Sequence, residues 1–133
     1  MGSWGFGNFE NDAALNWLAE LDDPALVRQT LTLVTETPDE VCLSTDCCCS
    51  ALAAAEVVAA CCGFPAENLP GKVVEWASAH SGICDAPLVA LAKRASRRVE
   101  SCSELQELFD EGGRNEEWHG VVKELLDRLF RGK

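Results

Sequence analysis

The stretch that most constrains the fold is Ser50–Gly63, SALAAAEVVAACCG, in which Glu56 is the only charged residue. Its other residues are small or apolar, and a helix that is apolar on nearly every side is usually buried on nearly every side. The stretch therefore predicts a central helix on which the remaining elements pack. The length of 133 residues fits one domain, so we expect a single helical domain over residues 1–133.

Apolar residues recur at helical spacing along most of the remaining chain. They predict an all-α bundle of six to seven helices, with the others at about residues 12–21, 24–34, 71–81, 86–99, 104–111 and 118–130. In the helix over 71–81, we expect Val73, Val74 and Trp76 to face the core. In the last helix, we expect an apolar stripe from Trp118 to Phe130 to be buried.

Residues 1–10 combine three glycines with three large aromatic side chains, among them Trp4 and Phe9. Glycine is unfavourable in a helix, whereas aromatic side chains gain from burial. We therefore predict an irregular arm that places Trp4 and Phe9 on the helices. No strand is predicted before the glycines and no lysine lies among them, so a phosphate-binding loop is not indicated.

The formal net charge is −11, and it is concentrated in the first half of the chain. Residues 1–70 contain eleven acidic residues and one basic residue, Arg28, whereas residues 71–133 contain eleven acidic and ten basic residues. The acidic half repels phosphate backbones, which disfavours nucleic acid as its ligand. It favours a protein partner with a basic surface, although acidity can also serve solubility alone.

The sequence also predicts a compartment. It has no apolar run approaching the ~18 residues of a membrane span. Its opening, MGSWGFGNFEND, has neither the basic nor the apolar region of a signal peptide. We therefore predict a cytoplasmic protein without membrane association. In that compartment the eight cysteines are expected to be thiols rather than disulfides.

Seven of the cysteines lie around the predicted central helix or soon after it, at Cys42, Cys47, Cys48, Cys49, Cys61, Cys62 and Cys84. With His80 they include the residue types that bind zinc, but the two paired Cys-x2-4-Cys units of structural zinc sites are not present. Adjacent helical residues point about 100° apart, so Cys61 and Cys62 do not readily face one site. Buried cysteine commonly acts as a small apolar side chain. We expect no cofactor, with zinc as the alternative.

A redox role is the other chemistry that the cysteines allow. Thiols at a helix N-terminus have lowered pKa values, and Cys47–Cys49 lie at the start of the central helix. The negative charge of the neighbouring Asp46 acts in the opposite direction, because it disfavours the thiolate.

Glu56 lies in the middle of the apolar stretch, where a carboxylate needs a partner or becomes protonated. We predict that it accepts hydrogen bonds from the N-terminal arm, from backbone N–H groups or an indole N–H, and acts as a structural clamp. The alternatives are a packing gap that admits water, or a catalytic site formed with Asp12. No second catalytic group lies at helical spacing from Glu56, so we predict no catalytic residue.

Lys93, Arg94, Arg97 and Arg98 form a basic patch on the helix over 86–99. Such a patch is typical of a solvated helix face, with Glu100 and Glu104 near enough to form ion pairs. An anion or an acidic partner is the alternative ligand.

The opening of the chain resembles that of a family of small bacterial proteins known as domain-of-unknown-function family 4259. The shared pattern is Met-Gly-x-Trp-Gly-x-Gly-x-Phe-x-Asn-Asp-x-Ala-x-x-Trp, and it is met at Gly2, Trp4, Gly5, Gly7, Phe9, Asn11, Asp12, Ala14 and Trp17. Ala51–Ala60 is similar to a second shared block. The clusters Cys47–Cys49 and Cys61–Cys62 depart from the family pattern, so the resemblance does not imply cysteine chemistry.

The resemblance implies a fold and a set of structural residues, but no reaction. It suggests that the arm and the central helix belong together. A site would then lie where Trp4, Asn11, Asp12 and Glu56 converge, with Phe9 and Trp17 as further residues of the motif.

These observations together predict an acidic, cytoplasmic protein that acts by binding a basic protein partner. One concrete version is an immunity-type protein whose acidic half covers a basic toxin. The alternative is a metal- or thiol-handling protein that uses the cysteine clusters. The sequence pattern does not distinguish a monomer from a dimer.

Overall fold

The computed structural model describes residues 12–38, 41, 43–65, 69–83, 85–101 and 115–132. These ranges contain six α-helices: α1 (Asp12–Glu20), α2 (Pro24–Glu36), α3 (Thr45–Cys61), α4 (Gly71–Ala79), α5 (Ala86–Ser101) and α6 (Asn115–Gly132). A 3-10 helix at Ser81–Ile83 follows α4, and no strand is found in the described ranges. The predicted all-α class is confirmed. None of the described helices is long and apolar enough to cross a bilayer.

Helix α3 is the centre of the bundle, as the sequence predicts. It packs against α1, α2, α4, α5 and α6, and every residue of Ala51–Ala59 is buried. Because this helix has no polar face, it is stable in water only with neighbours on all sides. The amphipathic helices around it supply those neighbours with residues such as Leu31, Val89 and Leu125, which are all fully or nearly fully buried.

The helix ends follow local capping chemistry. The side chains of Asp23, Ser44 and Asp85 lie just before α2, α3 and α5, and they accept backbone N–H hydrogen bonds of 2.9, 3.2 and 2.8 Å. These bonds satisfy N–H groups that have no partner within the helix. After α3 the chain turns at Gly63, whose φ of +92° lies in the left-handed region that favours glycine.

Two predictions of burial are wrong. Val74 is 49% exposed, because Val73 and Trp76 define the buried stripe of α4 and Val74 lies about 100° around the helix from Val73. Helix α4 also ends at Ala79, before the predicted Ser81. Phe130 is 51% exposed, because it lies at the border of the stripe in the last turn of α6.

Several predictions concern residues outside the described ranges. These are the N-terminal arm, the helix over 104–111, Cys42 and Cys84. They stay predictions, as does the assignment of residues 1–133 to one domain.

Candidate functional site

Glu56, in the buried middle of α3, is bound by Arg128 of α6. Arg128 Nη1 donates to Oε1 of Glu56 at 2.6 Å, and Nη2 donates to Oε2 at 3.1 Å. The side chains of Arg128 and Glu56 are only 7% and 4% exposed, respectively. A two-pronged arginine–carboxylate pair fixes orientation as well as supplying energy, so this contact sets how α6 lies on α3.

Arg128 has two further acceptors. Its Nε and Nη2 donate to the carboxylate of Glu124, one turn earlier on α6, at 2.8 and 2.7 Å. Its Nη1 also donates to the carbonyl of Phe64 at 3.3 Å. The Glu124 side chain is 59% exposed, so the network Glu56–Arg128–Glu124 reaches from the core to solvent.

The charge state of Arg128 follows from these contacts. Burial by itself lowers the pKa of Arg128, but the hydrogen bonds and negative charges of Glu56 and Glu124 outweigh burial and raise the pKa above its ordinary value. Arg128 is therefore a cation held between two carboxylates. Both oxygens of Glu56 accept hydrogen bonds from it, an arrangement that suits a structural clamp better than general acid–base catalysis.

The sequence analysis identified the need of Glu56 for a partner and missed Arg128. The available signal was the position of Arg128 inside the apolar stripe of α6, between Leu125 and Leu129. A lone charged residue on the buried stripe of one helix matches a lone opposite charge on another. Hydrogen bonds from the N-terminal arm to Glu56 involve residues outside the described ranges and stay a prediction.

Of the predicted site residues of the opening motif, Trp17 is the one whose side-chain contacts are described. It is buried in α1, and its indole N–H donates to the hydroxyl of Thr30 on α2 at 2.8 Å. The indole of Trp17 therefore joins α1 to α2. Asp12 begins α1, while the side chains of Trp4, Phe9, Asn11 and Asp12 lie outside what the structure describes.

The thiols at the start of α3 are poor nucleophiles. Burial raises the pKa of Cys49 to about 12, with smaller contributions from Cys48 and Asp46 in the same direction. Burial also raises the pKa of Cys47. The predicted effect of Asp46 on the thiolate is thus confirmed for Cys49, and desolvation is the larger cause. These two thiols are protonated at neutral pH, which disfavours redox chemistry at Cys47 and Cys49.

The cysteines at the end of α3 differ from each other. Cys61 is a buried free thiol, and burial raises its pKa to about 11. Cys62 is disulfide-bonded, with its partner outside the described ranges. The expectation that all the cysteines are thiols is therefore wrong at Cys62. Cys62 lies just past the last residue of α3 and is only partly buried, so its side chain can leave the core.

No metal centre is found in the described part of the chain. No three His, Cys, Asp or Glu side chains lie together there in a way that could hold an ion. His80, which the sequence offers as a ligand, packs at the end of α4: its ring is stacked on Trp76, with centroids 4.1 Å apart, and Nδ1 lies 2.9 Å from the Trp76 carbonyl oxygen.

Exposed carboxylates gather where α1 ends and α3 begins, on a surface that we call the acidic edge: Glu20, Asp22, Asp23 and Asp46. Glu20 and Asp46 line one cleft of about 250 Å³. In the described part of the chain, none of the four carboxylates forms an ion pair with a cationic side chain. The edge therefore presents carboxylates that are not ion-paired with any side chain in the described ranges.

The backbone of the acidic edge is held by α4. Trp76 Nε1 donates to the carbonyl of Asp22 at 3.0 Å, and Lys72 Nζ donates to the carbonyl of Ala19 at 3.3 Å. Asp23 is also fixed, because its side chain caps α2. The carboxylates thus lie on a backbone that is ordered before any partner binds.

These features define a small all-α domain with a buried ion pair at its centre and an acidic edge. The profile of a domain of unknown function, DUF4259, matches residues 2–120, and the chain belongs to this family. The match confirms the predicted family, and it ends before Glu124 and Arg128. No curated protein and no solved structure matches the chain.

Proposed function

We propose that this protein acts in the cytoplasm by binding a protein partner with a basic surface, through the acidic edge. The observation that carries the proposal is the set of four exposed carboxylates that form no ion pair within the described chain. The net charge of −11 adds a long-range attraction for a basic partner, which speeds encounter.

The geometry of the edge supports tight rather than diffuse binding. The cleft between Glu20 and Asp46 accepts a lysine or arginine side chain between two carboxylates, while Asp22 and Asp23 contact the surface around it. Because the backbone here is held by Trp76 and Lys72, little conformational freedom is lost on binding. An immunity-type protein that covers a basic toxin is the specific form that we propose.

Affinity purification with neutral replacements at the edge tests this proposal. The edge variant is Glu20→Gln, Asp22→Asn and Asp23→Asn combined, since asparagine at position 23 still caps α2. The control variant removes the same charge from exposed sites elsewhere, with Glu36→Gln, Glu116→Gln and Asp127→Asn. Each variant is used as bait in extract of the producing organism, and bound proteins are quantified by mass spectrometry.

We expect a basic protein that is retained by the wild type and the control variant and lost from the edge variant. The purified pair should then bind more weakly as salt is raised, because exposed charges are screened. A partner that binds the edge variant as well as the wild type would contradict the proposal.

The alternative of metal or thiol handling has less support. The raised pKa values of Cys47, Cys49 and Cys61 make these thiols poor nucleophiles, and no three His, Cys, Asp or Glu side chains of the described residues lie together as metal ligands. Native mass spectrometry of protein purified without chelator, with a thiol count on the same sample, separates the two functions. A bound zinc ion would favour metal handling over the acidic edge as the functional site.

A further inference from the structure

A second charged surface lies on α5 and α6, and its sign is opposite to that of the acidic edge. Lys93 Nζ lies 4.1 Å from the centre of the Phe130 ring, and Arg97 Cζ lies 5.1 Å from it. Phe130 remains 51% exposed, and the exposed Arg94 is next to Lys93 on α5. We call Lys93, Arg94, Arg97 and Phe130 the cation–aromatic patch.

The cations of this patch are not paired with carboxylates in the described part of the chain, which is unusual for so acidic a protein. With 22 acidic residues against 11 basic ones, a surface cation should readily find a carboxylate. In the described part of the chain, Lys93, Arg94 and Arg97 form no ion pair. Glu100, which the sequence offers them as a partner, lies 3.0 Å from His119 Nδ1 instead.

The cations of the patch are partly positioned before binding. A cation over an aromatic ring is attracted by the negative face of the ring, by about 0.5–1 kcal/mol at an exposed site, so Phe130 favours the positions of Lys93 and Arg97 over their other rotamers. Long cationic side chains otherwise lose rotamer freedom when they bind. The two cations and the exposed part of Phe130 together present charge and apolar surface in one place.

We propose that the cation–aromatic patch is a docking surface for an acidic protein segment that carries an apolar side chain. The carboxylates of such a segment pair with Lys93, Arg94 and Arg97, and its apolar side chain packs on the exposed part of Phe130. This combination of a desolvated apolar contact with surrounding charge pairs is typical of the energetically important part of an interface.

This surface is independent of the acidic edge. Helix α5 packs on α2, α3 and α6, whereas the edge is built on α1, the turn after it and the start of α3. The inference therefore does not rest on the proposed function. A partner bound at the patch would leave the edge available.

Nucleic acid is the other acidic polymer that could meet the patch, and two observations disfavour it. The ring of Phe130 is already engaged by Lys93 and Arg97, so it is poorly placed to stack on a base as single-strand sites require. The net charge of −11 repels any acidic ligand, but it repels a phosphate backbone, with one charge per nucleotide, more strongly than a peptide segment with a few carboxylates.

The test is a peptide-display selection on the full chain, using a random peptide library. Selected peptides are then measured by fluorescence polarisation against the wild type, Lys93→Gln/Arg97→Gln, Arg94→Gln and Phe130→Ala. Two matched controls remove an exposed cation and an exposed apolar side chain elsewhere: Lys123→Gln on α6 and Leu33→Ala on α2. Circular dichroism establishes that each variant is folded.

We expect the selected peptides to be enriched in aspartate and glutamate together with aliphatic or aromatic residues. Their affinity should fall by about tenfold or more in Lys93→Gln/Arg97→Gln and in Phe130→Ala, and by less than about twofold in the controls. Arg94 is exposed and lines a cleft with Thr32 and Glu36 of α2, so Arg94→Gln should have a smaller effect, and Phe130→Ala keeps the test valid if the double variant fails to fold.

Two outcomes would overturn the inference. One is a selection that gives no binders, or binders without acidic enrichment or without loss of affinity in the patch variants. The other is tight binding of a single-stranded oligonucleotide that is lost in Lys93→Gln/Arg97→Gln, which would assign the patch to nucleic acid.

Discussion

Arg128 and Glu56 lie 72 residues apart in the chain and are joined by hydrogen bonds of 2.6 and 3.1 Å between buried side chains. Taking two charges out of water is costly, and a buried pair often adds little net stability over apolar residues of the same size. The pair instead restricts how the helices pack, because α6 has to lie on α3 where the Arg128 guanidinium meets the Glu56 carboxylate. Removing either residue leaves the charge of the other buried without the ion pair that offsets its loss of hydration.

We predict that Arg128→Met destabilises the protein by about 3–5 kcal/mol, because Glu56 loses the cation that offsets its burial. Glu124→Gln is the control. It touches the same guanidinium, but the Glu124 side chain is 59% exposed, so its loss should cost less than about 1 kcal/mol. The free energy of unfolding in urea measures both. A loss below about 1 kcal/mol in Arg128→Met would show that Glu56 does not depend on Arg128.

Glu56→Gln should cost less than Arg128→Met, about 1–3 kcal/mol, because Arg128 keeps its hydrogen bonds to Glu124 and to the carbonyl of Phe64. The double variant Glu56→Leu/Arg128→Met removes both charges and should recover much of the stability lost in Arg128→Met. If the double variant is as unstable as the sum of the single ones, the two residues are not coupled as the structure shows.

Local features of the fold could be predicted from the sequence, because their causes are local. Asp23 with Pro24 marks the start of α2, and Gly63 marks the turn after α3. The apolar composition of Ser50–Gly63 dictates the central position of α3, since such a helix cannot face water. Periodicity places Trp17, Val73 and Trp118 in the core, where the structure has them.

The contacts between distant elements could not be predicted, because they depend on how helices lie on one another. The pairing of Glu56 with Arg128 and the disulfide at Cys62 are of this kind. Phe130 fits the apolar stripe by spacing and is half exposed, because the stripe is wider than the surface that α6 buries. A single sequence specifies the residue at each position, but it does not show how one helix is rotated against the next.

Ser96 offers a test of an unsatisfied buried group. It is buried in α5 at 1% exposure, and its hydroxyl has no hydrogen-bond partner among the residues that the structure describes. A buried polar group without a partner costs about 1–3 kcal/mol, so Ser96→Ala should raise the free energy of unfolding by about 1 kcal/mol or more.

Ser78→Ala, at an exposed position of α4, is the matched control for this change. It provides the same gain in helix propensity, about 0.5 kcal/mol, without the buried hydroxyl. Thermal and urea unfolding of the two variants give the difference. Equal effects at Ser96 and Ser78 would mean that the Ser96 hydroxyl is satisfied in solution.

Thr30 couples α1 to α2 through Trp17. Its hydroxyl accepts from the Trp17 indole at 2.8 Å and donates to the carbonyl of Leu26 at 2.8 Å. Thr30→Val keeps the shape and removes the acceptor, leaving a buried indole N–H without a partner, so we expect a loss of about 1–3 kcal/mol.

Thr35→Val is the control for Thr30→Val, because the Thr35 hydroxyl donates only to the carbonyl of Thr32 in the same helix. It should cost less than about 1 kcal/mol. Tryptophan fluorescence during urea unfolding follows both variants. Similar losses in the two would show that the Trp17 hydrogen bond does not stabilise the contact between α1 and α2.

The buried thiols predict how stability depends on pH. The pKa values of Cys49 and Cys61 are raised by burial to about 12 and about 11, from 9.0 for an ordinary cysteine. Below pH 9.0 both thiols are protonated whether the chain is folded or unfolded, so their contribution to stability is complete. Between pH 9.0 and about 11, the unfolded chain loses these protons and the folded chain keeps them. Stability therefore falls as pH rises through this window, by up to about 1.4 kcal/mol per pH unit for each thiol.

Urea unfolding at a series of alkaline pH values measures this slope. Cys49→Ala/Cys61→Ala should be less stable than the wild type at neutral pH, because it leaves cavities, but its stability should fall less steeply with rising pH. The chain contains no tyrosine, so the ultraviolet absorbance of thiolate can be followed in the folded protein without interference from tyrosinate. Because the described thiols Cys49 and Cys61 ionise late, that absorbance should show a component that appears only above pH 9.0. Its complete appearance below pH 9.0 would mean that these cysteines are accessible to water, and it would restore the thiol chemistry that their burial disfavours.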